Sequence, residues 1–225
     1  MKSESKLTTF ITQAKDYDRW YEQQKGAAVF TSEVKAFKKV LPFLPEPWLE
    51  IGVGSGRFAQ ALGIKVGLDP SVELLKMAKS RGIITVLGRA EKHIFPVESF
   101  GTAFLITTLC FLDNPRIALQ EIHSILKPGG KIAMGFVPAS SPWGIFYQQK
   151  KQSGHPFYKF ANFYSYGELH TVLEQTGFAL DSVVSTLFQK PVDPVIIETP
   201  VLGYDRNAGF LVLVANRLQR PLKGK

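Results

Sequence analysis

Leu49-Glu50-Ile51-Gly52-Val53-Gly54-Ser55-Gly56-Arg57-Phe58 is the stretch that decides the fold. Trp48 to Ile51 reads as a short apolar strand and Arg57 to Leu62 as a helix, with a glycine-rich turn between them. Glycine carries no Cβ and tolerates positive φ, so such a turn is tight and lets a ligand approach the backbone and the first helical N–H groups. Read as Gly54-x-Gly56-x-x-Ala59, the same residues also fit the dinucleotide fingerprint. Glu50 distinguishes the two ligands. An acid just ahead of the loop repels a pyrophosphate and suits a ligand with positive charge there; its plainer role is to cap the following turn.

Outward from this loop the chain alternates strand and helix. Ile64 to Leu68 is the second strand, and Ser71 caps a helix running to Arg81. Ile83 to Leu87 is the third strand, an apolar run of the kind expected where both faces of a parallel sheet are covered. Phe104 to Thr108 and Lys131 to Val137 are the fourth and fifth. Between them lies a helix from Pro115 to Leu126, with Ile117, Ile122, Ile125 and Leu126 facing inward. This alternation predicts right-handed βαβ units and an open, mostly parallel α/β sheet. Ahead of it, residues 7–24 and 30–41 read as helices, the second capped by Thr31 or Ser32 and closed by Pro42. Residues 138–164 are rich in aromatics, Pro, Ser and Gly. Ser165-Tyr166-Gly167-Glu168 has capping-box spacing and opens a helix to about Gln175. Phe178 to Leu187 and Gly209 to Asn216 then form a terminal strand pair, the usual source of an antiparallel edge.

With 225 residues and 45% hydrophobic composition, the chain suits a single domain. Within 1–225 we read a helical cap over 1–44, a ligand-binding core over 45–137, an aromatic-rich insert over 138–176, and a strand pair with a basic tail over 177–225. No apolar run approaches the ~20 residues of a membrane span. Polar Met1 to Lys6 lack a following apolar segment and cleavage site, so no signal peptide is read. Cys110 is the single cysteine, which excludes an internal disulfide and a multi-cysteine metal site; no metal is expected, and a reducing cytoplasm is the natural location. Cys110 itself reads as a small buried hydrophobe. The net charge of +8 sits largely in Lys35, Lys38, Lys39, Arg217, Arg220, Lys223 and Lys225. No basic stripe interleaves with aromatics, which favours solubility over nucleic-acid binding.

Two further strand ends carry polar candidates. Asp69 closes the second strand, where a carboxylate accepts hydrogen bonds from both ribose hydroxyls of a nucleoside, or else forms a plain Asp-Pro turn with Pro70. After the third strand, Gly88-Arg89-Ala90-Glu91 offers backbone N–H groups to an adenine edge, and Glu91 an acceptor for its amine.

Taken in order, the Glu-x-Gly-x-Gly-x-Gly loop, Asp69, Arg89-Ala90-Glu91, Thr107-Thr108-Leu109-Cys110-Phe111 and Leu126-Lys127-Pro128-Gly129-Gly130-Lys131 resemble class I S-adenosylmethionine (AdoMet)-dependent methyltransferases. They look most like the small stand-alone ubiquinone/menaquinone-methyltransferase-like enzymes. The resemblance covers residues 45–137 by motif and the rest by layout. It implies a Rossmann-like sheet of order 3-2-1-4-5-7-6 and AdoMet as cofactor. It places Glu50 and Gly52 near the methionine amino group, with Gly54 and Gly56 shaping the loop. Asp69 falls on the ribose, Ala90 and Glu91 on adenine, and Thr107 and Leu109 beside the methionine part and the methyl. Arg89 and Gly101 stand where the family often has Asp. Tyr17-Asp18-Arg19-Trp20-Tyr21 resembles the family's lid helix. Tyr17 and Trp20 there cover the sulfonium by a cation–π contact, or else Trp20 and Tyr21 pin the helix to the core.

The acceptor is less legible. Methyl transfer from a sulfonium is an in-line displacement, and a general base is needed only if the acceptor must lose a proton. His123 and His170 lie on a helix and read as structural, and His93 follows Glu91 in a loop. His155 and Tyr158 are the candidates, since the family's acceptor recognition follows strand five; a surface loop is the plainer reading of His155. The Thr107 to Leu112 segment lacks the Asn/Asp-Pro-Pro-Tyr signature of adenine-amine and glutamine methylation. The expected activity is methyl transfer to a small-molecule N, O or S nucleophile. The alternatives are an NAD(P)-binding reductase and a non-catalytic AdoMet-binding protein. Oligomeric state has no signal in the sequence.

Overall fold

β4 (Phe100–Ile106) is buried at every residue, and the sheet grows outward from it. The computed structural model describes residues 5–192 and 194–219. On one side β4 pairs in parallel with β1 (Trp48–Ile51), which is followed outward by β2 (Val66–Asp69) and β3 (Ile84–Leu87). On the other it pairs in parallel with β5 (Leu126–Phe136). Beyond β5 the partners turn antiparallel: β8 (Phe210–Arg217), β6 (Phe178–Thr186) and β7 (Val201–Leu202). The order is β3-β2-β1-β4-β5-β8-β6-β7, the expected 3-2-1-4-5-7-6 with one two-residue strand added at the antiparallel edge.

Alternation along the strands separates two cores. Phe104 and Ile106 of β4 face α3 (Gln24–Val40), α4 (Arg57–Leu62), α5 (Val72–Ser80) and α7 (Pro142–Gln152). Ala103 and Leu105 face α6 (Pro115–Ile125) and α8 (Tyr166–Gln175). The sheet is therefore the middle of three layers, and each fully buried Leu, Ile or Phe contributes roughly 1.5–3 kcal/mol. The Ser165 capping box forms as the sequence predicts, with Ser165 Oγ accepting from Glu168 N and Glu168 Oε2 accepting from Ser165 N.

Several expectations are corrected. The segment 7–24 is not one helix but α1 (Lys6–Thr12), α2 (Ala14–Arg19) and a 3-10 turn over Trp20–Glu22. The next helix starts at Gln24, so Thr31 and Ser32 lie inside it and donate to the carbonyls of Ala27 and Ala28 instead of capping. β3 is an edge strand, and Ile84 and Leu87 are 64% and 59% exposed, because no element lies beyond it to cover the apolar run. Ile117 faces outward, and Ala118 and Leu119 take the inner side of α6. Residues 138–164 contain a helix, α7, which Ser141 caps with Pro142 in its first turn. Arg220, Lys223 and Lys225 of the basic tail lie outside the described residues.

Gly101 has a steric origin. A Cβ there would sit 2.4 Å from the carbonyl oxygen of Pro45 and 2.5 Å from that of Glu46. Both are backbone atoms, so the strand or the segment before β1 would have to move. Gly101→Ala is therefore expected to destabilise the protein by about 1–3 kcal/mol in denaturant unfolding. Gly167→Ala, on α8 with open space around it, should be neutral or slightly stabilising.

Candidate active site

The glycine loop leaves the carboxyl end of β1 and is held by its neighbours. A Cβ on Gly52 would fall 2.2 Å from Thr108 Cγ2, and one on Gly56 2.9 Å from Ala78 Cα, so close approach as well as positive φ demands glycine at both. Asp69, at the end of β2, ties the loop down. Its Oδ2 accepts from Gly54 N at 2.9 Å and its Oδ1 from Ser71 N at 2.8 Å. Burial pushes its carboxyl up to about 6, against the pull of those two bonds. Glu50 is buried, with Oε2 lacking any partner; burial, then the charge of Asp69, raises its pKa well above the usual carboxylate value.

A cavity opens above these groups. Gly52, Gly54, Asp69, Ala90, Glu91 and Thr107 line its floor and sides. Thr107 adopts φ +52° at the end of β4, an unusual backbone conformation of the sort that gathers at functional sites. Glu91 has a structural task as well, its Oε1 accepting from Asp113 N at 2.9 Å. Arg89 lines the cavity and pairs with Asp113.

The roof is the N-terminal segment. Lys6, Leu7 and Phe10 of α1 and Tyr17 of α2 all face the cavity. Lys6 donates to the Phe111 carbonyl and pairs with Asp113. Phe10 makes edge contacts with Tyr17 and Phe111, with ring centroids 5.8 and 5.2 Å away. Asp18 clamps the roof down. It receives two hydrogen bonds from Arg57, both 2.7 Å, and one from Arg81 at 2.8 Å. Arg57 opens the helix after the glycine loop, and Arg81 also donates to the Ser55 carbonyl at 2.6 Å. Burial alone would raise the Asp18 pKa, but bonds from Arg57, Ser55 and Arg81 hold it at about 2.

A second, larger cavity lies beside the first. Tyr17, Thr107 and Phe111 line both, so they form the threshold between the two. Trp20, Leu109, His155 and Tyr158 belong to the second cavity only. His155 Nδ1 accepts from Phe157 N at 3.3 Å, which assigns the proton of the neutral ring to Nε2; burial, then Lys150, lowers its pKa. Burial raises the Tyr158 pKa well above 10, so the phenol stays protonated. Both groups are donors in this state. Cys110 lines the same cavity, and burial pushes its thiol up to about 12.

The sequence reading thus divides in two. Gly52, Gly54, Asp69, Ala90, Glu91, Thr107 and Tyr17 come together around the first cavity. Trp20 and Leu109 are displaced to the second, and Glu50 and Gly56 line neither, lying behind the loop. His123 is buried against Gly177 and Phe178, and His93 and His170 are on the surface beside Glu121 and Glu174. Three contributors escaped sequence reasoning: the α1 residues of the roof, the Asp18 clamp, and Glu33, a buried acid of α3 lining the second cavity. Only Asp18 had a signal, its place inside the lid motif.

A sheet of this order, with an acidic glycine loop and a carboxylate at the next strand end, defines a class I AdoMet-dependent methyltransferase. The comparisons agree. A family model described as a methyltransferase domain matches residues 49–134. A SAM-dependent methyltransferase of Thermotoga maritima, described as a possible histamine N-methyltransferase, superposes with a TM-score of 0.87 at 36% identity, over 95% of this chain and 100% of that one. An uncharacterized protein of Methanocaldococcus jannaschii is 35% identical over 212 residues, covering 94% of this chain and 100% of its own length. Another, of Mycobacterium tuberculosis, is 36% identical over 200 residues, covering 88% and 70%. The chain belongs to the AdoMet-dependent methyltransferase family, and AdoMet is its cofactor. The reductase reading falls with that membership. The matches carry the family and not the ubiquinone/menaquinone-type subgroup.

Asp69 generates a test of donor binding. A ribose held there would donate more strongly to the ionised carboxylate than to the acid form, so its binding would favour deprotonation. AdoMet affinity, followed by calorimetry, should fall as pH drops through about 6. Asp69→Asn should flatten that dependence and cost about 1–3 kcal/mol of binding.

Proposed function

We propose that the enzyme methylates a small-molecule acceptor held in the second cavity, through a nitrogen, oxygen or sulfur nucleophile. The observation that carries this reading is the shared threshold of Tyr17, Thr107 and Phe111. Two cavities meeting there let donor and acceptor approach from opposite sides, as an in-line displacement requires. The donor cavity fits AdoMet. It has a bare glycine backbone, Asp69 for the ribose, and the Gly88–Glu91 loop for adenine. The buried carboxyl of Glu50 behind the loop, with Oε2 lacking a partner, suits a positively charged ligand and acts through its field, since it does not line the cavity.

Bound AdoMet supplies an electron-poor methyl group on a sulfonium. That chemistry would be an in-line displacement by the acceptor atom, with the electron pair left on sulfur. The protein's part is alignment and exclusion of water. The roof covers the donor, and the aromatic rings of Tyr17 and Phe111 flank the transfer point. His155 and Tyr158 serve as hydrogen-bond donors that orient the acceptor. The insert over 138–176 forms only part of the acceptor wall, and the N-terminal cap adds Trp20, Tyr21 and Glu33. The name of the Thermotoga relative favours nitrogen among the three nucleophiles. Among the described residues no helix is long and apolar enough to cross a membrane, and we propose a cytoplasmic enzyme. A second cavity that shares this threshold supports turnover over storage of AdoMet alone.

The direct test is turnover against a panel of amines, phenols and thiols, with S-adenosylhomocysteine as the readout. For the acceptor that reacts, Tyr158→Phe and His155→Ala should raise the acceptor KM about five-fold, the worth of one hydrogen bond, while AdoMet affinity stays unchanged. Loss of donor binding with unchanged acceptor kinetics would reverse the assignment of the two cavities.

A further inference from the structure

Glu33 is the one buried acid in the second cavity, and the reading above leaves it without a task. It lies on α3, is 5% exposed, and lines the cavity. Among the described residues no hydrogen bond or ion pair reaches its carboxyl. Burial is the sole cause that raises its pKa, to about 8. Its charge is felt by the hydroxyls of Tyr21 and Tyr147, which line the same space. A buried carboxyl with no partner lowers stability, which is a cost that a ligand's charge can offset.

The surroundings say what partner would suit it. Tyr21, Tyr147, Tyr158 and Phe163 present aromatic surface to the cavity, and aromatic faces attract cations. The other charged groups are placed differently. Asp16 is exposed and paired with Arg19 at 2.9 Å. Lys150 holds its ammonium over the Phe146 ring, 4.8 Å from the centroid, and does not figure among the influences on Glu33. His155 is lined up with Phe157 N and Tyr158.

We propose that Glu33 is the specificity residue of the acceptor cavity, pairing with the protonated amine of an acceptor whose apolar body packs on the surrounding aromatic rings. This deepens the methyltransferase reading and rests on it for the word acceptor. Before the amine enters, Glu33 is largely a neutral acid. The incoming ammonium draws it to the carboxylate, and its proton leaves to solvent. Charge is thereby matched inside a low-dielectric chamber, where a neutral or anionic molecule gains nothing from it. An anionic acceptor drawn in by Lys150 is the competing outcome.

The test uses the full chain saturated with S-adenosylhomocysteine and three probes of similar shape: 2-phenylethylamine, 2-phenylethanol and phenylacetate. Calorimetry or ligand-observed NMR gives their affinities. The wild type should bind the amine at least ten-fold more tightly than the alcohol, with phenylacetate weakest. Glu33→Gln should bring amine and alcohol within about three-fold of each other while S-adenosylhomocysteine affinity stays unchanged, and Glu33→Asp should keep part of the preference. The proposal is overturned if the wild type prefers phenylacetate or does not distinguish amine from alcohol, if no probe binds, or if the preference survives in a folded Glu33→Gln protein. Should that variant fail to fold, the wild-type ranking and Glu33→Asp decide. Methylation is scored separately: amines that bind through Glu33, with no acceptor of any class turned over, would sink the function and leave this site standing.

Discussion

The clamp on Asp18 is the interaction from which the rest of the site follows. One carboxylate gathers Arg57, at the start of the helix after the glycine loop, and Arg81, at the end of the helix after β2. Two guanidinium groups and one acid are taken largely out of water, which is tolerable only because their hydrogen bonds are short and several. The N-terminal segment is thereby fastened over the carboxyl ends of the strands. Without that roof, the donor cavity would be an open groove and Tyr17 would not stand at the threshold.

The other buried acids are arranged in the opposite sense. Asp18 is saturated with donors and its pKa is low; Glu33, Glu50 and Asp69 are buried with few donors or none and their pKa values are high. A saturated carboxylate holds structure together. An unsaturated one stores a demand that a ligand can meet, which is why strongly shifted groups gather at functional sites. Here the unsaturated acids flank the two cavities, with Asp69 facing the first, Glu50 behind it, and Glu33 facing the second. The acids are thus sorted by cavity, and both proposed ligands carry positive charge.

The lining of the first cavity was legible because its residues are local in sequence. The glycine loop, Asp69 and the Gly88–Glu91 turn each lie within a few residues of a strand end, so periodicity and spacing find them. The sheet order followed from the same alternation. What escaped was long-range. Glu33 is one acid on a helix face, and only the fold turns it toward residues 147–164. Glu50 does not line the cavity, because a strand residue's face depends on which layer covers it; here its carboxyl accepts from the backbone of Ala59 in α4. The helix over 142–152 was overlooked because its aromatic and glycine content hid the Ser141-Pro142 start signal. Trp20 lines the second cavity because the N-terminal segment breaks into short pieces instead of running as one helix.

The central claim is that Tyr17, Thr107 and Phe111 form the passage between donor and acceptor. A crystal structure of the complex with S-adenosylhomocysteine tests it most directly. The account predicts the ribose at Asp69 and the sulfur in contact with Thr107 and Tyr17, its vacant methyl direction pointing into the second cavity. A sulfur buried elsewhere in the first cavity, or directed to solvent away from those three residues, would contradict it.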